Sequence, residues 1–189
     1  GVGTLNTDGI LNNSGTLATT SVVASKDVTL TGGIANLTLD GTTAQTVTVP
    51  TGGTTFSEEL VVNNTAGVTF AGMNSGSAVL VGGQAIVGSA VSVVNEGLTL
   101  TEGVLTIPDG NSLILTHGGS GIQGYTRTNG CVFGTVRKQL SNTTSTAPAD
   151  RLDFPLCSAG GLYRPYAITF NNPSTIGGTA PTASPATTD

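Results

Sequence analysis

The chain has 189 residues, 28 of them glycine, with 9% charged and 4% aromatic side chains, no Trp and a net charge of −5. Six Lys+Arg cannot neutralise a row of phosphates, which excludes nucleic acid as a partner. Low charge with 37% hydrophobic content excludes a highly charged, disordered chain, and no apolar run approaches the roughly 20 residues of a membrane span.

A start at Gly1 with no signal-peptide core fits a mature, processed chain. Val, Leu, Ile and Thr without large aromatics suit thin, layered burial, as in a β-solenoid or a thin β-sandwich. Residues 1–25 are rich in Asn, Gly and Ser and read as an N-terminal strand or capping segment, bounded at 1–27. From 28 to 118 helical periodicity is missing and short bursts alternate with period two. They are NLTLD (36–40), QTVTVP (45–50), ELVVNN (59–64), GVTFAG (67–72), SAVLVGG (77–83), SAVSVVN (89–95), GLTLTEG (97–103), VLTIPDG (104–110) and SLILTHG (112–118). Each is rich in β-branched residues and bounded by Gly, Asn, Asp or Pro.

The unit LTL followed by Gly recurs around 28–32, 37–41 and 98–103, with brief corners between bursts. Repetition of this kind favours a β-solenoid-like stack of short strands, with an antiparallel β-sandwich or jelly roll as the alternative. After Gly118 the aromatics concentrate, and 119–170 reads as a β-sandwich-like closing segment with strand candidates CVFGTVRKQL (131–140) and YRPYAITF (163–170). Residues 171–189 form a Pro/Thr-rich tail that needs packing along its own domain, or against a neighbouring copy, to be ordered.

On these residues the chain resembles secreted surface proteins of the Bacteroidota with Thr/Gly-rich β-repeats. The resemblance rests on residues 36–72, on GLTLTEGVLTIPDGNSLILTHGGSGIQGY (97–125), and on NGCVFGTVRKQL (129–140) with RLDFPLCSAGGLYRPYAITF (151–170). It implies export, a β-helical or β-sandwich scaffold, and a role as adhesin, surface-layer or matrix component. Cys131 and Cys157 stand where that family has other residues.

In an exported protein an even pair of cysteines, Cys131 and Cys157, points to a disulfide, worth roughly 3–4 kcal/mol in the chain-entropy model; two buried thiols are the alternative. Gly119, Gly121 and Gly124 spell a dinucleotide fingerprint, but no helical pattern follows them, so a glycine-rich corner is expected. His117, the sole histidine, lacks a nucleophile motif and reads as a surface residue. Adjacent Glu58 and Glu59 are expected on opposite faces of a strand, the wrong arrangement for a glycosidase pair. Asp8, Asp40 and Asp109 each precede Gly, which is turn chemistry and not a dense calcium loop. The sequons at Asn12, Asn36, Asn63 and Asn142 count only in a glycosylating host.

No catalytic residue, cofactor or metal is therefore expected. Arg137, Lys138, Arg151 and Arg164 either pair locally with Asp150 and Asp153 or form an electropositive end that meets the acidic flank of another copy. The leading expectation is a non-catalytic extracellular structural protein at the cell surface. It self-assembles head-to-tail into a filament or layer through terminal strands at 1–25 or 171–189. The alternative is an adhesin or carbohydrate-binding module meeting surface glycans or matrix proteins, with Tyr125, Tyr163 and Tyr166 as its available platform.

Overall fold

The computed structural model describes residues 4–7, 12–13, 17–82, 97–116, 124–139, 150–170 and 182–183. These are all-β, and no helix occurs among them. In chain order the strands are β1 (Thr4–Thr7), β2 (Asn12–Asn13), β3 (Leu17–Ala24), β4 (Val28–Leu30), β5 (Ile34–Leu39), β6 (Gln45–Thr48), β7 (Gly53–Asn63), β8 (Val68–Ala71) and β9 (Ala78–Val81). They continue as β10 (Leu98–Glu102), β11 (Val104–Thr106), β12 (Ser112–Thr116), β13 (Tyr125–Arg127), β14 (Cys131–Phe133), β15 (Thr135–Gln139), β16 (Asp150–Phe154), β17 (Tyr166–Phe170) and β18 (Thr182–Ala183).

Strands β1 to β15 fall into two sheets paired in parallel throughout. One carries β14-β11-β8-β6-β4-β2, the other β1-β3-β5-β7-β9-β12-β15, with β10 alongside β7 and β13 alongside β10. The chain passes from one sheet to the other and returns to pair with its own earlier strand. Successive inward residues therefore lie one above another. Ile34, Phe56, Val81 and Leu115 stand in one such column. Val22, Leu37, Leu60 and Leu98 make a second, and Val68, Leu105 and Val132 a third on the opposite sheet. All are buried, and each large aliphatic or aromatic side chain so covered contributes about 1.5–3 kcal/mol.

Of the nine alternating bursts, eight contain strands; the burst at 89–95 lies outside the described residues. The burst at 59–64 begins earlier than its pattern, because Thr54 and Phe56 already point inward in β7. Between inward Phe56 and inward Leu60 the strand turns a corner, which breaks the period of two. Glu58 and Glu59 thus both end outside, a correction to their expected placement on opposite faces. The pairing also does not change at Gly118: β13, β14 and β15 extend the same parallel ladders. Antiparallel pairing appears only in the β16–β17 hairpin, its Cys157–Tyr163 extension and the β15–β18 contact among the described residues.

Corners are made by single glycines. Gly103 (φ 82°) joins β10 to β11 and Gly134 (φ 126°) divides the run at 131–140 into β14 and β15, on different sheets. A Cβ on Gly103 would overlap the carbonyl oxygen of Asn64, and one on Gly134 would meet that of Ile107 at 2.6 Å. A second corner is held by buried amides. Gln45 donates from Nε2 to the carbonyls of Ala24 and Lys26 and accepts at Oε1 from the Gly41 N–H and from Asn64 Nδ2. Asn64 also donates to the Thr43 carbonyl and accepts from the Ala66 N–H. Buried side-chain amides are tolerated here because both are paired.

Gly103→Ala is expected to lower stability by about 2–4 kcal/mol, combining left-handed strain with overlap of a carbonyl. Gly52→Ala, where a Cβ meets nothing within 4 Å, is the matched control. Urea midpoints of the two variants against the parent check this.

Candidate functional site

The last parallel strands change what they point inward. Leu98 is followed in register by Tyr125, Leu100 by Arg127, and Leu115 by Lys138. Three aliphatic columns thus end in an aromatic and two cations, all contributed by β13 and β15. In sequence Lys138 directly follows Arg137 and lies two residues after inward Val136. Alternation alone places it inside; only the register puts it on Leu115.

A covering segment closes over these side chains. β16 and β17 pair antiparallel, Phe154 opposite Tyr166. Beyond them Cys157 bridges Tyr163, and the Arg164 N–H donates to the Leu156 carbonyl. On the other side, Leu156 bridges Val132 in parallel, with the Val132 N–H donating to the Pro155 carbonyl and the Cys157 N–H to the Val132 carbonyl. Cys131 and Cys157 lie at disulfide distance, Cα–Cα 5.8 Å, and neither thiol is free. The bridge ties β14 to the covering segment where their backbones already touch.

Beneath this cover Lys138 is 3% exposed. Its Nζ lies 5.0 Å from the centre of the Tyr125 ring and 5.5 Å from that of Phe154. Burial pushes the Lys138 ammonium down to about 8, opposed by the charge of Asp153. The same burial pushes the Tyr125 phenol up, with further upward contributions from Tyr163 and Asp153 and a downward one from Arg127. The Arg127 guanidinium stacks 3.6 Å from the Tyr163 ring centre and donates from Nε to the Gly130 carbonyl. The cluster is a cation–aromatic latch.

The other sequence candidates scatter. Asp40 accepts from Ser25 Oγ at 2.9 Å, Glu58 from Asn36 Nδ2 at 2.6 Å and Glu59 from Thr99 Oγ1 at 2.7 Å. No group of three His, Cys, Asp or Glu suited to a metal occurs among the described residues. Gly124 is followed by strand β13, so the glycine fingerprint lacks the helix that phosphate binding requires. His117, Gly119, Gly121, Asp8 and Asn142 lie outside the described residues. The three tyrosines make no platform: Tyr125 is 8% exposed, Tyr163 lies under Arg127, and only Tyr166 stands out, at 53%. Sequence reasoning missed Gln45 and Asn64, whose burial depends on the corner. It also missed Leu162, exposed at the tip of the cover.

No family model matches the chain, and no curated protein or solved structure matches it.

Two outcomes follow for this end of the molecule. Cys131→Ala is expected to cost about 3 kcal/mol, as for any closed loop of a few tens of residues. Intact mass should rise by two hydrogens on reduction only after denaturation, because both sulfurs are buried. Lys138 keeps its proton to near 10.5 when unfolded but only to about 8 when folded. Between these values the unfolded state binds more protons, so stability should rise with pH, by up to about 1 kcal/mol per unit. Lys138→Met should abolish that rise and be no less stable than the parent at neutral pH; urea midpoints at successive pH values up to about 9.5 measure both.

Proposed function

We propose that this chain is a non-catalytic structural protein of the cell exterior, a β-solenoid that self-associates head-to-tail into a filament or surface layer. The observation that carries the reading is the parallel pairing of successive strands within each of the two sheets, with local register shifts at β3, β5 and β10. It aligns Ile34, Phe56, Val81, Leu115 and Lys138 in one continuous line. Such a line favours a coil over a sandwich, whose sheets pair largely antiparallel. An extracellular setting is supported by the Cys131–Cys157 pair, which suits an oxidising compartment, and by the resemblance to Bacteroidota surface repeats.

Two facts bear on how copies meet. The far edges of β14 and β15 are engaged by the chain itself, through Leu156 and through β18. Plain edge-on stacking at this end therefore needs β18 to leave β15, where among the described residues it holds the Val136–Ala183 and Arg137–Thr182 pairs. Strand exchange by this segment, or contact through side chains, fits better than simple edge templating. The adhesin reading is less favoured, because a single exposed tyrosine makes a poor stacking surface for sugar rings.

Negative-stain electron microscopy of the concentrated protein is expected to show filaments or sheets. Deletion of 171–189 should alter or abolish them if β18 is exchanged. Isolated particles at every concentration would overturn the self-assembly reading.

A further inference from the structure

The large apolar side chains that stand exposed among the described residues, Leu162 (59%) and Tyr166 (53%), fall within five residues of each other on the covering segment. Arg164 occupies the position between them and is also exposed, as is Pro165. This surface is not loose. The Arg164 N–H is tied to the Leu156 carbonyl, Tyr166 is in register with Phe154, and its ring lies 6.3 Å from that buried ring. The Leu162 N–H is held by Ser158 Oγ, while Ser158 N–H donates to the Leu162 carbonyl. The disulfide anchors the same segment to β14. Tyr, Arg and an aliphatic anchor on a rigid support are what binding hot spots are made of.

Charge singles out what covers it. At this end Arg137 and Arg164 are exposed, while Lys138 is buried and Arg127 stacks on Tyr163; eight of the eleven Asp and Glu lie at 8–109. On the flank of the stack Glu58, Glu59, Asp40 and Glu102 accept hydrogen bonds from Asn36, Thr99, Ser25 and Asn129. These partners are neutral amides and hydroxyls, so they position the carboxylates without cancelling their charge. The exposed Arg164 on the covering segment of one molecule is thus complementary to the flank of another.

We propose that the Leu162–Arg164–Tyr166 surface is the self-association contact, and that its partner is the acidic flank around Glu58 and Glu59 of a second copy. The contact rests on the self-assembly reading and gives it a surface. Two different patches meet, so the interface is heterologous, and it grows into an open chain unless the rotation between copies closes it. The rim charges make it salt-sensitive.

Sedimentation velocity of the full chain, over a concentration series at about 0.05 and 0.5 M NaCl, tests this. The parent should associate, and more weakly at the higher salt. Arg164→Glu and the pair Leu162→Ser with Tyr166→Ser should each weaken association by about tenfold or more; the urea midpoint of Arg164→Glu should be unchanged because that side chain is exposed. A copy carrying Glu58→Lys and Glu59→Lys, mixed with Arg164→Glu, should restore association, which a misfolded variant could not. If the parent associates and these variants match it, the contact is wrong while self-assembly stands. If the parent is monomeric throughout, both readings fall. If the parent is monomeric alone but binds alginate beads through Arg164, the surface serves an acidic polysaccharide and the self-contact is overturned.

Discussion

The structure depends on one constraint, the in-register burial of short parallel strands. A period-two strand has only one face to bury, and here each buried residue sits on its counterpart from the preceding pass. The columns need alignment only over two to five residues of each strand. Everything between them is free to vary in length: Val22 pairs with Leu37 fifteen residues on, but Leu60 pairs with Leu98 thirty-eight residues on. Loop length enters the closure cost only logarithmically. A strict sequence period is therefore unnecessary, and the loose cadence of the LTL units is compatible with stacked columns of buried residues.

A stack of this kind must terminate somewhere, and an aliphatic column left open would face water. The chain meets that demand at β13 and β15 by ending its columns in side chains with both apolar and polar parts. Tyr125, Arg127 and Lys138 cover the aliphatic residues behind them with rings and methylenes, while their polar ends engage Tyr163, Asp153 and the Gly130 carbonyl. Buried charge of this sort is a weak source of stability. The disulfide and the hairpin supply the tie, and the latch specifies how the cover sits. The same covering segment carries Leu162, Arg164 and Tyr166 outward, so closing the interior and presenting a surface are tasks of one element.

Much of the candidate chemistry in the chain dissolves into corner construction. Asp40 holds Ser25, Gln45 and Asn64 satisfy backbone groups that the turning chain cannot pair, and Gly103 and Gly134 turn the chain within a single residue. Backbone polar groups at a buried corner require partners, and this requirement accounts for the amides without a ligand.

Local pattern determined the strand content, the corners at Gly103 and Gly110, and the absence of helix in the described residues. Strands and tight turns are written in alternation and in glycine, and these act over a few residues. Local pattern also separated Cys131 and Cys157 from the rest as a pair. It did not show that the parallel ladders run past Gly118, because the change of composition there reflects a change in what the columns bury and not in how strands pair. Nor did it show that 131–140 is two strands, that both Glu58 and Glu59 lie outside, or that Lys138 caps Leu115 beneath Phe154. Those facts depend on which residues from distant passes share a register. Pairing across fifteen to thirty-eight residues leaves no local trace in the chain. Only the folded stack decides it, because burial is shared between strands and belongs to none of them alone.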